Sequence, residues 1–261
     1  MLLHGFPETH RSWEQQTGAL VERGFQAIAL DLRGYGRSAR PSSGYDLPTL
    51  ADDVAAVIRQ LDRGPVAVVG HDWGGVVTWE LLSRHAPLVD RAVILDAPHP
   101  ALMARALRRN PRQLARSWYM FFFQLPSLPE RWLARRAGRN IARMFRPDWP
   151  LASAATAAIV EAEGLALLEP GALGAALAYY RTALRDNAAA LLRDDELHLD
   201  PIEVPVTVIW GERDSCLGPE LNHGLTRFVR DLTVHIVAGA GHFVHQERPD
   251  EVNALLLRAL E

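Results

Sequence analysis

Short apolar runs alternate with stretches of helical periodicity along most of this chain. Gln26–Leu30, Val66–Val69, Arg91–Leu95, Val204–Trp210 and Leu232–Val237 are rich in Val, Ile and Leu, and each runs into a Gly or Asp within two residues. Between them lie amphipathic patterns such as Leu50–Leu61, Val76–His85 and Asp250–Leu260. Strand and helix in regular alternation predict an α/β fold, a mostly parallel sheet with helices on both faces. Such sheets carry their functional groups on loops at the carboxyl ends of the strands. Asp72, Asp96, Asp214 and His242 all fall on loops of that kind.

One segment breaks the alternation. From about Pro98 to Asp200 the pattern is helical throughout, rich in Ala, Leu and Arg and punctuated by Pro. It reads as an all-helical lid, residues 98–200, inserted between two strands of a core made of residues 1–97 and 201–261. At the other end, Leu2 and Leu3 look like the last residues of a strand that should lie inside the sheet. A stub of that length would leave its neighbours poorly paired, so the chain is expected to continue upstream.

The most informative stretch is Gly70-His71-Asp72-Trp73-Gly74-Gly75. It follows the apolar run ending at Val69 and precedes a helical pattern. Strand, Gly-x-nucleophile-x-Gly, helix is a sharp turn that lifts one side chain off the sheet edge, and its glycines let strand and helix backbones approach closely. The central residue is an aspartate. A carboxylate attacks a saturated electrophilic carbon well and an amide or ester carbonyl poorly. The chemistry indicated is displacement at an sp3 carbon, as in an epoxide or alkyl halide, followed by hydrolysis of the resulting enzyme ester. The plainer reading is that Asp72 caps the next helix.

Composition narrows the remaining classes. With 261 residues and 48% hydrophobic content the chain can bury a full core. A net charge of −3 argues against general nucleic-acid binding. No apolar stretch is long enough to span a membrane. The amino terminus lacks the charged region and cleavage site of a signal peptide, and the single cysteine, Cys216, can form no internal disulfide, so a cytoplasmic protein is expected. All 28 basic residues are arginine, and eleven of them fall in residues 101–150 against Glu130 and Asp148. Solvated helix faces account for that excess, with a membrane- or partner-binding surface as the alternative.

Taken in order, His4-Gly5-Phe6-Pro7-Glu8, Asp31-Leu32-Arg33-Gly34-Tyr35-Gly36-Arg37-Ser38, the Gly70–Gly75 turn, Trp210-Gly211-Glu212-Arg213-Asp214 and Gly241-His242-Phe243 resemble the α/β-hydrolase superfamily. Within it the chain is similar to the epoxide hydrolases over nearly its whole length. Tyr119–Pro126 and Leu177–Arg181 resemble the two lid motifs that carry ring-opening tyrosines in that family. The resemblance departs at the missing opening strands and at Asp96, which stands where these enzymes more often carry Asn.

The resemblance implies a division of labour. Asp72 is the nucleophile and His242 the general base for water. Asp214 is the acid that holds the imidazole, with Asp96, the position used by some dehalogenases, as the alternative. Backbone N–H groups of Phe6 and Trp73 form an oxyanion hole. Tyr119 and Tyr180 donate a proton to the departing epoxide oxygen, and Tyr179 packs. Trp118, Phe121, Phe122 and Phe123 are expected to line core and channel, which predicts an apolar substrate pocket walled by Trp118, Phe122 and Phe123. His71, His223 and His245 are expected to be structural. No metal or organic cofactor is implied. The partners are a small apolar epoxide and water, with a homodimer left open and detoxification or biosynthesis as the setting. Two other readings remain: a haloalkane dehalogenase using the same aspartate, and a non-catalytic or destabilised protein on a hydrolase fold.

Overall fold

The computed structural model describes residues 1–135, 140–141, 162–186 and 201–261. Six strands, β1 (Leu2–Leu3), β2 (Ala29–Leu30), β3 (Val66–His71), β4 (Val89–Leu95), β5 (Val206–Gly211) and β6 (Leu232–Val237), form one sheet in the order β2-β1-β3-β4-β5-β6. Every pairing is parallel. Consecutive residues of the central strands point to opposite faces, and both faces are apolar, as buried parallel strands require. Val68, Ala92, Ile94 and Val208 pack on the side of helices α2 (Leu47–Leu61) and α3 (Trp73–His85). Val69, Val93, Leu95 and Ile209 pack on the other side with Trp13, with Leu20 of α1 (Glu14–Glu22) and with Val252, Leu255 and Leu256 of the last helix, Pro249–Leu260. Each such side chain removed from water contributes about 1.5–3 kcal/mol.

Several boundaries differ from the sequence expectation for identifiable reasons. The run Gln26–Leu30 is a strand only at Ala29–Leu30, because β1 offers two residues to pair with. β5 starts at Val206, since Pro205 has no N–H for the ladder. α2 starts early, at Leu47, where the Asp46 carboxylate accepts the Thr49 N–H at 3.0 Å as an N-cap. β1 lies between β2 and β3, inside the sheet as expected.

Between β4 and β5 the described residues hold helices and no strand: α4 (Pro100–Arg109), α5 (Pro111–Arg116), α6 (Trp118–Phe122), α7 (Leu128–Leu133) and, further on, α8 (Ala172–Asp186). Residues 136–139, 142–161 and 187–200 of the expected lid lie outside the described residues. Polar contacts dock this helical segment on the sheet side. The Tyr179 hydroxyl donates to the Arg33 carbonyl at 2.6 Å, the Thr9 N–H donates to Glu163 at 3.2 Å, and Arg40 pairs with Glu169 at 2.7 Å. No helix among the described residues is long and apolar enough to cross a membrane.

Candidate active site

The turn between β3 and α3 is built by exclusion of side-chain volume. A Cβ at Gly74 would overlap the Leu3 carbonyl oxygen, and one at Gly5 would overlap the side chain of Asp72. With both positions bare, β1, the Gly5–Phe6 loop and the start of α3 converge on one residue. Asp72 sits there at φ 47° and ψ −117°, a conformation that costs a non-glycine residue on the order of 1–3 kcal/mol. The turn is held by the Asp72 N–H donating to the Leu95 carbonyl at 3.1 Å and by the Val76 N–H donating to the Asp72 carbonyl at 2.9 Å. The Asp72 side chain does not cap α3. Instead the Phe6 N–H donates to its Oδ1 at 2.8 Å. Trp73 opens α3, where the first N–H groups of a helix have no intrahelical acceptor.

His242 faces Asp72, with Nε2 3.7 Å from Oδ2. Its other nitrogen, Nδ1, lies 2.8 Å from Oδ2 of Asp214. Asp214 is fixed in turn by the N–H groups of Cys216 and Leu217, both donating to its Oδ1 at 2.7 Å. Burial alone would lower the His242 pKa, but the attraction and hydrogen bond of Asp214, joined by Asp72, carry it well above the usual histidine value. Of the two candidate acids, Asp214 meets the imidazole. Asp96 is fully buried, accepts the Gly211 N–H at 2.7 Å through Oδ1, and has no hydrogen-bond partner on Oδ2. Burial first, and then the nearby Asp214 charge, raise its pKa well above the carboxylate range.

Tyr119 on α6 and Tyr180 on α8 face each other with ring centroids 5.8 Å apart. Tyr180 also packs edge-on against Phe6 and Trp73, the two residues that flank Asp72 in space, at 5.5 and 5.0 Å. Burial and then neighbouring charge, with Asp72 acting on both, push both phenols well above 10 and keep them protonated donors. Phe123 closes this aromatic wall, 5.0 Å from Tyr180 and 5.8 Å from both Tyr119 and Phe6. Trp118 and Phe122, expected beside it, lie a layer further out. Trp118 is half-exposed and its rings meet Tyr119 and Phe122, while Phe122 meets Trp132 and Phe123. Tyr179 packs against Tyr35, Tyr45 and Trp73.

Beneath His242 is a group of residues whose joint role the sequence reading missed. Glu8, His71 and His245 are fully buried together. Glu8 accepts the Gly5 N–H at 2.8 Å and the Gln246 amide at 2.9 Å, and lies 2.7 Å from His71 Nδ1. The other nitrogen of His71 meets the backbone carbonyl of His242 at 2.8 Å. Both ring nitrogens of His71 thus face acceptors, which calls for an N–H on each. Burial would raise the Glu8 pKa, but His71 and then His245 draw it well below the carboxylate range. The ligand atoms of Glu8, His71 and His245 lie within 4.8 Å of one another. A cation there would have to displace donors that already occupy the Glu8 oxygens, so Glu8 and His71 form a buried ion pair with His245 beside it, not a metal cradle. The available signal was Glu8 in the His4–Glu8 motif. Nothing local shows that it reaches His71.

Comparison with known proteins bears on the family and the fold. The family described as the alpha/beta hydrolase fold matches residues 1–249. The chain is 33% identical over 263 residues to Epoxide hydrolase 3 of Xenopus tropicalis, covering 98% of this chain and 69% of that protein. It is 34% identical to the AB hydrolase superfamily protein YfhM of Bacillus subtilis, covering 100% and 89%. Among solved structures it is similar to a Bacillus megaterium epoxide hydrolase in complex with an inhibitor, with a TM-score of 0.87, 30% identity and coverage of 99% and 92%.

Proposed function

We propose that this hydrolase, which belongs to the alpha/beta hydrolase superfamily and within it to the epoxide hydrolase family, converts an apolar epoxide to a vicinal diol in two steps. The observation that carries the reading is the pair of buried, protonated tyrosines on the far side of an aspartate set at the strand-to-helix turn. In the first step Asp72 Oδ2 bonds to a ring carbon and the carbon–oxygen bond of the epoxide breaks. The oxygen stays tethered as a basic alkoxide and takes a proton from Tyr119 or Tyr180.

The second step inverts the local electrostatics. Once Asp72 is an ester its negative charge is gone, and one of the influences holding a proton on His242 is lost with it. The imidazolium gives its Nε2 proton back, by way of solvent, to the tyrosinate left by the first step. The freed Nε2 then accepts a proton from water, whose oxygen adds to the ester carbon. The oxyanion that forms lies where the Phe6 N–H already donates, and the N–H of Trp73, which as the first residue of α3 has no intrahelical acceptor, is the proposed second donor. Collapse breaks the bond from the ester carbon to the substrate oxygen, and the leaving alkoxide takes the proton of the new carboxyl, which releases the diol and restores ionised Asp72. Asp214 orients the imidazole and balances its charge. A haloalkane dehalogenase would use the same aspartate without needing two tyrosines, and Asp96, its expected acid, makes no hydrogen bond to His242 among those described.

His242→Gln, which leaves the first step intact, tests the proposal. Incubation with an aryl epoxide should add the mass of the whole epoxide to the intact protein, mapped to Asp72. A gain only from an alkyl bromide, equal to substrate less HBr, would move the assignment to the dehalogenase. No adduct from either, on folded protein, would remove both.

A further inference from the structure

The segment from α5 through the start of α7 buries Phe123 but also turns large apolar side chains outward while it buries polar ones. Its buried side carries Gln113, Ser117 and Tyr119, and Gln113 bonds to the Cys216 carbonyl at 2.8 Å and the Gly218 N–H at 3.0 Å. Arg181 of α8 grips the same inner side, donating to the carbonyls of Phe123 and Leu125 and pairing with Glu130. The outer side carries Leu114, Trp118, Phe121, Leu125 and Leu128, each between 42% and 52% exposed. They come from three short helices and the turn that joins the last two, and all five are turned out to solvent. Only four other large hydrophobic side chains among the described residues are comparably exposed. An apolar patch this concentrated on a monomer marks a surface of contact.

The charges around it identify the contact. Residues 101–135 contain seven arginines and one acid, Glu130, which faces inward onto Arg181. Arg112, Arg131 and Arg135 are exposed beside the stripe and form no ion pair among the described residues. We infer that this face docks on the surface of an anionic phospholipid bilayer, with Leu114, Trp118, Phe121, Leu125 and Leu128 entering the headgroup region and the arginines meeting lipid phosphates. Tryptophan, phenylalanine and leucine on one face with arginines at its border are the makeup of a segment that lies in a membrane interface. A second copy of the chain fits poorly, because a two-fold interface would set arginines against arginines. The inference does not rest on the reaction proposed above.

The test is flotation of the intact protein with vesicles of phosphatidylcholine alone and of phosphatidylcholine mixed with phosphatidylglycerol. The protein should float with the mixed vesicles, remain behind with the neutral ones, and detach as salt is raised. Leu114→Ser/Phe121→Ser/Leu128→Ser should abolish flotation. Arg112→Glu/Arg131→Glu/Arg135→Glu, which changes only exposed charges and guards against misfolding of the first variant, should weaken partitioning by about fivefold or more per arginine. Both variants should hydrolyse a water-soluble substrate as the wild type does. Absence of flotation with the mixed vesicles, or flotation indifferent to the charge reversal, overturns the inference. So does a dimer in sedimentation velocity that the serine variant dissociates, which would assign the face to self-association.

Discussion

Replacing Glu8 by Gln probes the buried support of the catalytic histidine. The substitution keeps the side chain's shape and removes its charge, leaving the His71 proton at Nδ1 opposite a neutral amide. Both partners of this ion pair are fully buried and 2.7 Å apart. Removing one member of such a pair costs about 3–5 kcal/mol. The Gly5 N–H can still be accepted by the glutamine oxygen, so the low end, about 3 kcal/mol, is expected. At about 2–4 °C per kcal/mol for a domain of this size, Tm should fall by roughly 6–12 °C. The dependence on pH has a definite sign. The folded Glu8 titrates below its unfolded value, so its contribution is complete above the unfolded pKa of about 4.3 and fades as pH falls through the folded one. The gap between wild type and Glu8→Gln should therefore be constant from pH 6 to 8 and close in acid. Ester hydrolysis should slow more than ester formation, because His71 holds the His242 carbonyl while Asp72 is held by Phe6. Thermal melts across pH, paired with single-turnover mass spectrometry, measure both. A Glu8→Gln protein melting within about 2 °C of wild type at pH 7, with no narrowing in acid, would refute the reasoning.

Asp214→Asn should lower kcat by about 10^3–10^4, since the imidazole loses the acceptor on Nδ1, whereas Asp96→Asn should leave steady-state turnover near wild type. The same Asp96→Asn variant should gain stability over wild type as pH rises above about 4, where unfolded Asp96 ionises and the folded residue, with its raised pKa, does not; parallel melts at several pH values check it. Tyr119→Phe and Tyr180→Phe should each slow epoxide opening, and the double variant should lose about 10^2–10^4 in the rate of ester formation followed by mass spectrometry. Gly74→Ala should destabilise the protein by about 3 kcal/mol or prevent folding, because its Cβ would collide with the Leu3 carbonyl; a wild-type melting curve would contradict that account.

Much of the framework was legible because its signals are local. The apolar runs before Asp72, Asp96 and Asp214, and the glycines around Asp72, have their meaning within about ten residues of sequence. What stayed hidden depends on register between distant segments. Asp96 and Asp214 both follow parallel strands, and only the pairing of β4 with β5 decides which reaches His242. The His71–His242 contact joins positions 171 residues apart. In the run Trp118 to Phe123 a helix turns each residue about 100° from the last, so composition alone could not tell the ring beside Tyr180 from the one facing out.

Tyr179 and Tyr180 stand next to each other on α8, one bonded to the backbone of Arg33 and the other turned toward Asp72. That adjacency makes the helical segment exchangeable only in part. A graft that keeps Tyr179 in register keeps Tyr180 in place, since the position of Tyr180 is referred to the sheet side through the residue beside it. A graft that omits the Tyr179 anchor, or that shifts α8 by a single residue, carries its tyrosine to the wrong place however well the rest folds. For building new substrate ranges onto this scaffold, the pair 179–180 is the joint to copy, with Tyr119 carried along opposite it.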